Sequence, residues 1–177
     1  MNHSCLPNAQ GNFNTALEKF TIHAIRDIEA DEEVRIGYLK ELFLPAMHRM
    51  RLLKGGYGFT CDCPLCDPFT SEATDMRRMD LQKRMKKHAM KPAKEQTKTA
   101  AFELMRHAVD LVEADDLRGR EIASFYLNAA NLAMQVGEDL VVKGWVEKAL
   151  VLEEDAVGAD SPMYAETVEK VQARGFA

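Results

Sequence analysis

Three of the chain's four cysteines, Cys61, Cys63 and Cys66, fall in the single run CDCPLC, and the fourth, Cys5, stands 55 intervening residues upstream. The spacing C-x-C-x2-C lets one tight loop aim three sulfurs at a single ion. In a reducing compartment such a cluster reads as metal ligands rather than disulfide partners. A structural zinc ion takes four ligands, with Zn–S distances of about 2.3 Å, and the loop offers only three. Cys5 is the obvious fourth. His3 is an alternative, and an unliganded, merely structural Cys5 is the plain reading. A site closed by four thiolates keeps no open position, so its role would be to hold structure, pinning the N-terminal stretch onto the loop.

Composition narrows the remaining classes. A chain of 177 residues suffices for one or two compact units, and 46% hydrophobic with 29% charged residues is ordinary for a globular protein. A formal net charge of −5 makes no general case for nucleic acid or an anionic membrane. A lone four-cysteine site with no recognition helix inside it, in an acidic chain, is also a poor nucleic-acid reader. No apolar run approaches the roughly 20 residues of a membrane span, and the first residues lack a basic-then-apolar leader pattern. The expectation is an intracellular protein, nuclear or cytoplasmic, with no membrane partner and no direct contact to nucleic acid.

The texture changes near residue 68, which predicts an α+β chain in two parts, 1–68 and 69–177. In the first, KFTIHAIRDI alternates at Phe20, Ile22 and Ala24, and EVRIGY at Val34, Ile36 and Tyr38, so two strands are expected. A short helix is expected from about Pro45, stopped by Gly55-Gly56. From about Thr70 helical periodicity takes over. One helix carries Met76, Met79 and Met85 and ends before Pro92. A second places Leu104, Ala108, Leu111 and Val112 on one stripe. Two more meet at Gly137-Glu138-Asp139, and a last one follows Ser161-Pro162. Small residues at Ala130 and Ala149 suit a close helical crossing, and Trp145 reads as filler between helices. The basic run from Arg77 to Lys98, which includes Arg78, reads as a solvated helix face.

Three segments together resemble the C-terminal half of a SET domain, the fold of protein-lysine methyltransferases. They are NHSCLPN from Asn2, AIRDIEADEEVRIGY from Ala24, and GYGFTCDCPLC from Gly56, in that order. The third is similar to the element that follows the SET domain proper and carries its zinc. The SMYD-type branch fits best, because a helical region follows, similar to a tetratricopeptide-like hairpin. The resemblance implies that Tyr38 is the active-site tyrosine. It also implies that Asn2, His3 and Phe59 contact S-adenosyl-L-methionine, Phe59 against its adenine, and that Cys5, Cys61, Cys63 and Cys66 hold Zn2+. It further implies a protein substrate, histone or otherwise, presenting a lysine. Asp31 stands where the family usually has glycine; aspartate tolerates left-handed backbone, so the turn is expected to survive.

The family's Gly-x-Gly strand, its upstream sheet and, for the SMYD type, a MYND zinc finger have no counterpart in the 177 residues. The chain therefore reads as a C-terminal fragment, a truncated and inactive form, with weak or no binding of the methyl donor by these residues alone. The competing reading is a non-catalytic interaction module, whose helical region binds protein partners on a zinc-stapled SET remnant.

Overall fold

The computed structural model describes residues 1–41 and 43–176. Strand β1 (Asn2–His3) pairs in parallel with β4 (Arg35–Ile36), placing Asn2 opposite Arg35 and His3 opposite Ile36. Between them in sequence, β2 (Ala9–Asn14) and β3 (Lys19–Ala24) form an antiparallel hairpin. Asn14 closes its turn, with Oδ1 accepting from the backbone N–H groups of Ala16 and Leu17 at 3.0 and 3.1 Å. The run AQGNFN carries no strand signal of its own and becomes β2 only by pairing with β3. β4 is shorter than the alternation from Val34 to Tyr38 predicts, because the strand beside it, β1, has only two residues.

Among the described residues six α-helices follow. α1 (Ala46–Tyr57) runs through Gly55 and Gly56 rather than stopping at them. The stop is Gly58, at φ +79°, whose N–H caps Lys54 O: the residue that ends the helix is the one forced into the left-handed region. α2 (Pro68–Ala89) begins slightly earlier than its periodicity predicts, because Asp67 caps it by accepting from Phe69 N–H at 3.0 Å and Pro68 takes the first helical position. Its end at Ala89 precedes Pro92, as expected, and a 3-10 turn at Ala93–Glu95 leads on. α3 (Lys98–Ala114) is capped by Thr97 and α6 (Pro162–Ala173) by Ser161. Between them, α4 (Arg120–Val136) and α5 (Asp139–Val157) form a hairpin around Gly137, at φ +81°.

The main core lies between α3, α4 and α5. Ala129, Ala130, Ala133 and Ala149 are fully buried, a small-residue seam that lets α4 and α5 pack closely, with Tyr126 fully buried and Trp145 half-buried beside it. On the predicted stripe of α3, Ala108, Leu111 and Val112 are buried and Leu104 half-buried.

The β2–β3 hairpin docks on this helical core. Ile25 packs on Ala156 and Val157, and Asn12 Nδ2 donates to Ala156 O at 2.9 Å. The start of α4 has no side-chain cap of its own, since its cap residue is Gly119 at φ +104°. Gln10 supplies one from β2, its Oε1 accepting from Arg120 N–H at 2.8 Å. A Cβ on Gly119 would lie 2.4 Å from that oxygen. Glycine is therefore required there on both counts.

The basic run does not lie wholly on a solvated face. Arg78 is 1% exposed and pairs with Asp115 at 2.6 Å, at the C-terminal end of α3. It shares the inner face of α2 with Ser71, Thr74 and Leu81. A charge pattern alone gave no sign that one arginine of the run turns inward.

Candidate metal centre and the aromatic wall beside it

The segment 2–8 is knit to the turn before β4 by one buried side chain. Asn8, 1% exposed, donates from Nδ2 to Glu32 Oε1 and to Glu33 O, both at 2.9 Å, and accepts from Arg35 N–H at 2.8 Å. Asp31 lies in that turn at φ +65°, the left-handed conformation anticipated for it. Glu32 also pairs with Arg26 at 2.5 Å, and that guanidinium, with Asn8, holds its carboxyl down at about 2. These contacts fix where β1 delivers His3 and Cys5.

Cys5, Cys61, Cys63 and Cys66 come together, with their sulfurs all within 4.8 Å of one another. Tetrahedral zinc with bonds of about 2.3 Å would hold its sulfurs roughly 3.8 Å apart, and Cys5 and Cys66 are already 3.6 Å apart. The residues fit the ion. Packed this close the thiols are not independent acids: Cys5 is pushed up by its hydrogen bond with Cys61, while the bond to Cys5 takes Cys61 down and Cys63 down to about 6. Cys66, drawn down by Cys5 but pushed up by Cys61 and Cys63, ends up raised, so two of the four thiols favour the thiolate form that binds metal.

His3 stands beside this set rather than in it. Its Nδ1 accepts from Tyr38 N–H at 3.1 Å, which leaves the proton of the neutral ring on Nε2, and Nε2 faces Cys5 Sγ at 3.3 Å. The ring is thereby fixed between the sulfurs and an aromatic group. Its centroid is 5.1 Å from that of Tyr38 and 5.9 Å from that of Phe59. Tyr57 completes the group, 4.8 Å from Tyr38. The Tyr38 hydroxyl donates to Met1 O at 2.6 Å. Asn2 faces outward, its Nδ2 donating to Glu33 Oε1 at 2.5 Å. His3 and Tyr38 also line a cavity of about 410 Å³ between the β-strands and the start of α4, whose wall includes Gly37, Gln10 and Leu117.

Two residues of this region escape a reading by motif. Tyr57 is the last residue of α1, and nothing in GGYGF alone separates a ring that joins the group from one that only ends a helix. Arg49 is 4% exposed, and its Nη2 donates to Leu65 O at 2.5 Å and to Cys66 Sγ at 3.6 Å, while Nη1 donates to Leu44 O. A signal for it did exist: Ala46, Arg49 and Leu53 are spaced i, i+3, i+7 and form the buried face of α1.

Residues 1–39 match the family model described as SET domain. Among curated proteins, the chain is 30% identical over 144 residues to "Histone-lysine N-methyltransferase set5" of Schizosaccharomyces pombe, covering 78% of this chain and 43% of that protein. It is 40% identical over 67 residues to "Protein-lysine N-trimethyltransferase SMYD5" of Gallus gallus, covering 37% of this chain and 16% of the relative. It is 38% identical over 82 residues to "Histone-lysine N-methyltransferase SMYD3" of Mus musculus, covering 46% and 18%. The chain thus spans less than half the length of each of these relatives. No described helix is long and apolar enough to cross a membrane. The chain thus carries a SET-domain motif at residues 1–39 and is similar, on past residue 39, to protein-lysine methyltransferases of the SMYD and set5 type.

Proposed function

We propose that this chain supplies the zinc-stapled, aromatic side of a methyl-donor site in S-adenosylmethionine-dependent protein-lysine methylation. The observation that carries the reading is the convergence of His3, Tyr38 and Phe59 beside the four-cysteine cluster, in a chain with SET-family sequence. S-adenosylmethionine supplies an activated methyl group on a sulfonium. Transfer to a lysine requires the neutral amine, whose ordinary pKa is near 10.4, and an in-line approach. Tyr38 takes the orienting role, its phenol turning from Met1 O to the incoming amine. Asn2 and His3 meet the donor at its adenine end, chiefly through the main chain, and Phe59 packs on the adenine ring.

The same reading gives Zn2+ to Cys5, Cys61, Cys63 and Cys66 as a structural ion. It takes residues 1–68 as SET-derived and 69–177 as a tetratricopeptide-like helical part that flanks a protein substrate, histone or otherwise. It also puts the protein inside the cell. Affinity of the isolated chain for the donor is expected to be weak, so the test must tolerate weak binding. In NMR titration of the zinc-loaded chain to millimolar S-adenosylmethionine, the aromatic resonances of His3, Tyr38 and Phe59 should shift together, and Phe59→Ala should suppress the response. Saturating donor that leaves those resonances unmoved would show that these residues do not form a donor site.

A further inference from the structure

Arg49 is a cation buried where no acidic side chain among the described residues pairs with it. Its partners are two carbonyl oxygens and the sulfur of Cys66, and its Nε has none. A second buried guanidinium, Arg78, lies near enough that burial, foremost, and the charge of Arg49 push it down, against the pull of Asp115. This region therefore buries two guanidiniums, and of the nearby carboxylates Asp115 is taken by Arg78 and the half-buried Asp75 by the Ala46 N–H, so neither pairs with Arg49. Burying an uncompensated charge is strongly unfavourable. Four neutral thiols would do little to offset that, whereas a zinc ion held by four thiolates is a dianion. We infer that Arg49 is the built-in counter-cation of the four-cysteine metal centre, setting how tightly the centre keeps its ion and how reactive its sulfurs are.

The inference rests on the zinc reading above and adds the group that neutralises it. The geometry suits the role. A guanidinium is a fork that bonds carbonyls and a thiolate at once. Two bonds anchor Arg49 to Leu44 O and Leu65 O, so the N–H facing Cys66 is held in place without help from the metal. A hydrogen bond donated to a metal-bound thiolate draws electron density from the sulfur, weakening it as a nucleophile and slowing exchange of the ion. Groups in this outer position commonly change metal affinity by about 10–100-fold. Lysine could keep the charge but not the fork, and methionine keeps neither.

The test compares the zinc-loaded full chain with Arg49→Met and Arg49→Lys. Zinc content is measured first, then the rate of zinc transfer to a chelator, then the order in which iodoacetamide modifies the four cysteines, mapped by mass spectrometry. Arg49→Met should release zinc about tenfold faster or more, with Cys66 becoming the first cysteine alkylated, and Arg49→Lys should fall between it and the wild type. The selective change at Cys66 is what a merely structural role would not produce. Wild-type release rates and alkylation order in both variants would overturn the inference, as would equal acceleration at all four cysteines. If Arg49→Met does not fold, Arg49→Lys carries the comparison alone. A wild-type chain that takes up no stoichiometric zinc would instead overturn the metal reading itself, and that result is seen before any variant is compared.

Discussion

Arg78 and Asp115 show how much of the interior rests on single charged side chains. Asp115, 2% exposed at its side chain, meets Arg78 at 2.6 Å and also accepts from Thr74 Oγ1 at 3.0 Å and Arg77 Nη2 at 3.2 Å. Removing one partner of a buried pair leaves the other charged and dry, at a cost of about 3–5 kcal/mol. Asp115→Asn should therefore lower unfolding stability by that order in urea titration. The double variant Arg78→Met/Asp115→Asn should recover more than half of the loss, whereas a double variant as unstable as the single would show that the charge pair is not what matters. Single residues of this kind were the least legible in the sequence. Cysteine spacing announced Cys5, Cys61, Cys63 and Cys66, and the SET-like motifs pointed to His3, Tyr38 and Phe59. Arg78 looks like any surface arginine, and the helical spacing of Arg49 marks only its burial; what makes them special is a neighbour 17 residues away in one case and an acid across a helix pair in the other.

At the scale of elements, the stop of α1 separates local signals from geometry. Gly55, Gly56 and Gly58 lie within four residues of one another, and composition alone favours the pair as the break. The chain instead spends its left-handed turn at Gly58, φ +79°, while an added Cβ at Gly55 would meet nothing within 4 Å. Opposite effects follow. Gly55→Ala should stabilise by about 0.5–1 kcal/mol, since alanine loses less backbone entropy in a helix. Gly58→Ala should destabilise by about 1 kcal/mol, since alanine resists positive φ. Thermal melts of the two variants decide it, and shifts of the same sign would place the helix end elsewhere. The caps at Thr97 and Ser161, and the break at Gly137, were readable because each is a local bargain between a side chain or a free φ and a helix end. β2 was not readable, because its strand character comes from the partner β3.

Across the whole molecule, the composition boundary near residue 68 and the packing boundary differ. The β2–β3 hairpin precedes the boundary in sequence, yet Ile25, Asn12 and Gln10 tie it to Ala156, Val157 and Arg120 of the helices. The core around the cysteines instead gathers Leu53 of α1 with Cys61, Cys63, Leu65 and Cys66, and among the described residues Leu117 alone joins its periphery from the helical part. No fully buried member of the α3–α4–α5 core precedes Phe102 among the described residues. Structural zinc contributes folding free energy directly to whatever its ligands hold together. The cysteines that would hold it here join the segment after β1 to the loop after α1. Stripping zinc with a chelator should therefore loosen β1, β4 and α1 while β2–β3 and α4–α5 remain folded. Hydrogen exchange should rise selectively in the first set, with most of the helical circular dichroism retained. A single loss of protection across all of these elements would mean that the seam through Gln10 and Asn12 transmits the collapse. The molecule would then be one cooperative unit, with the metal as its keystone.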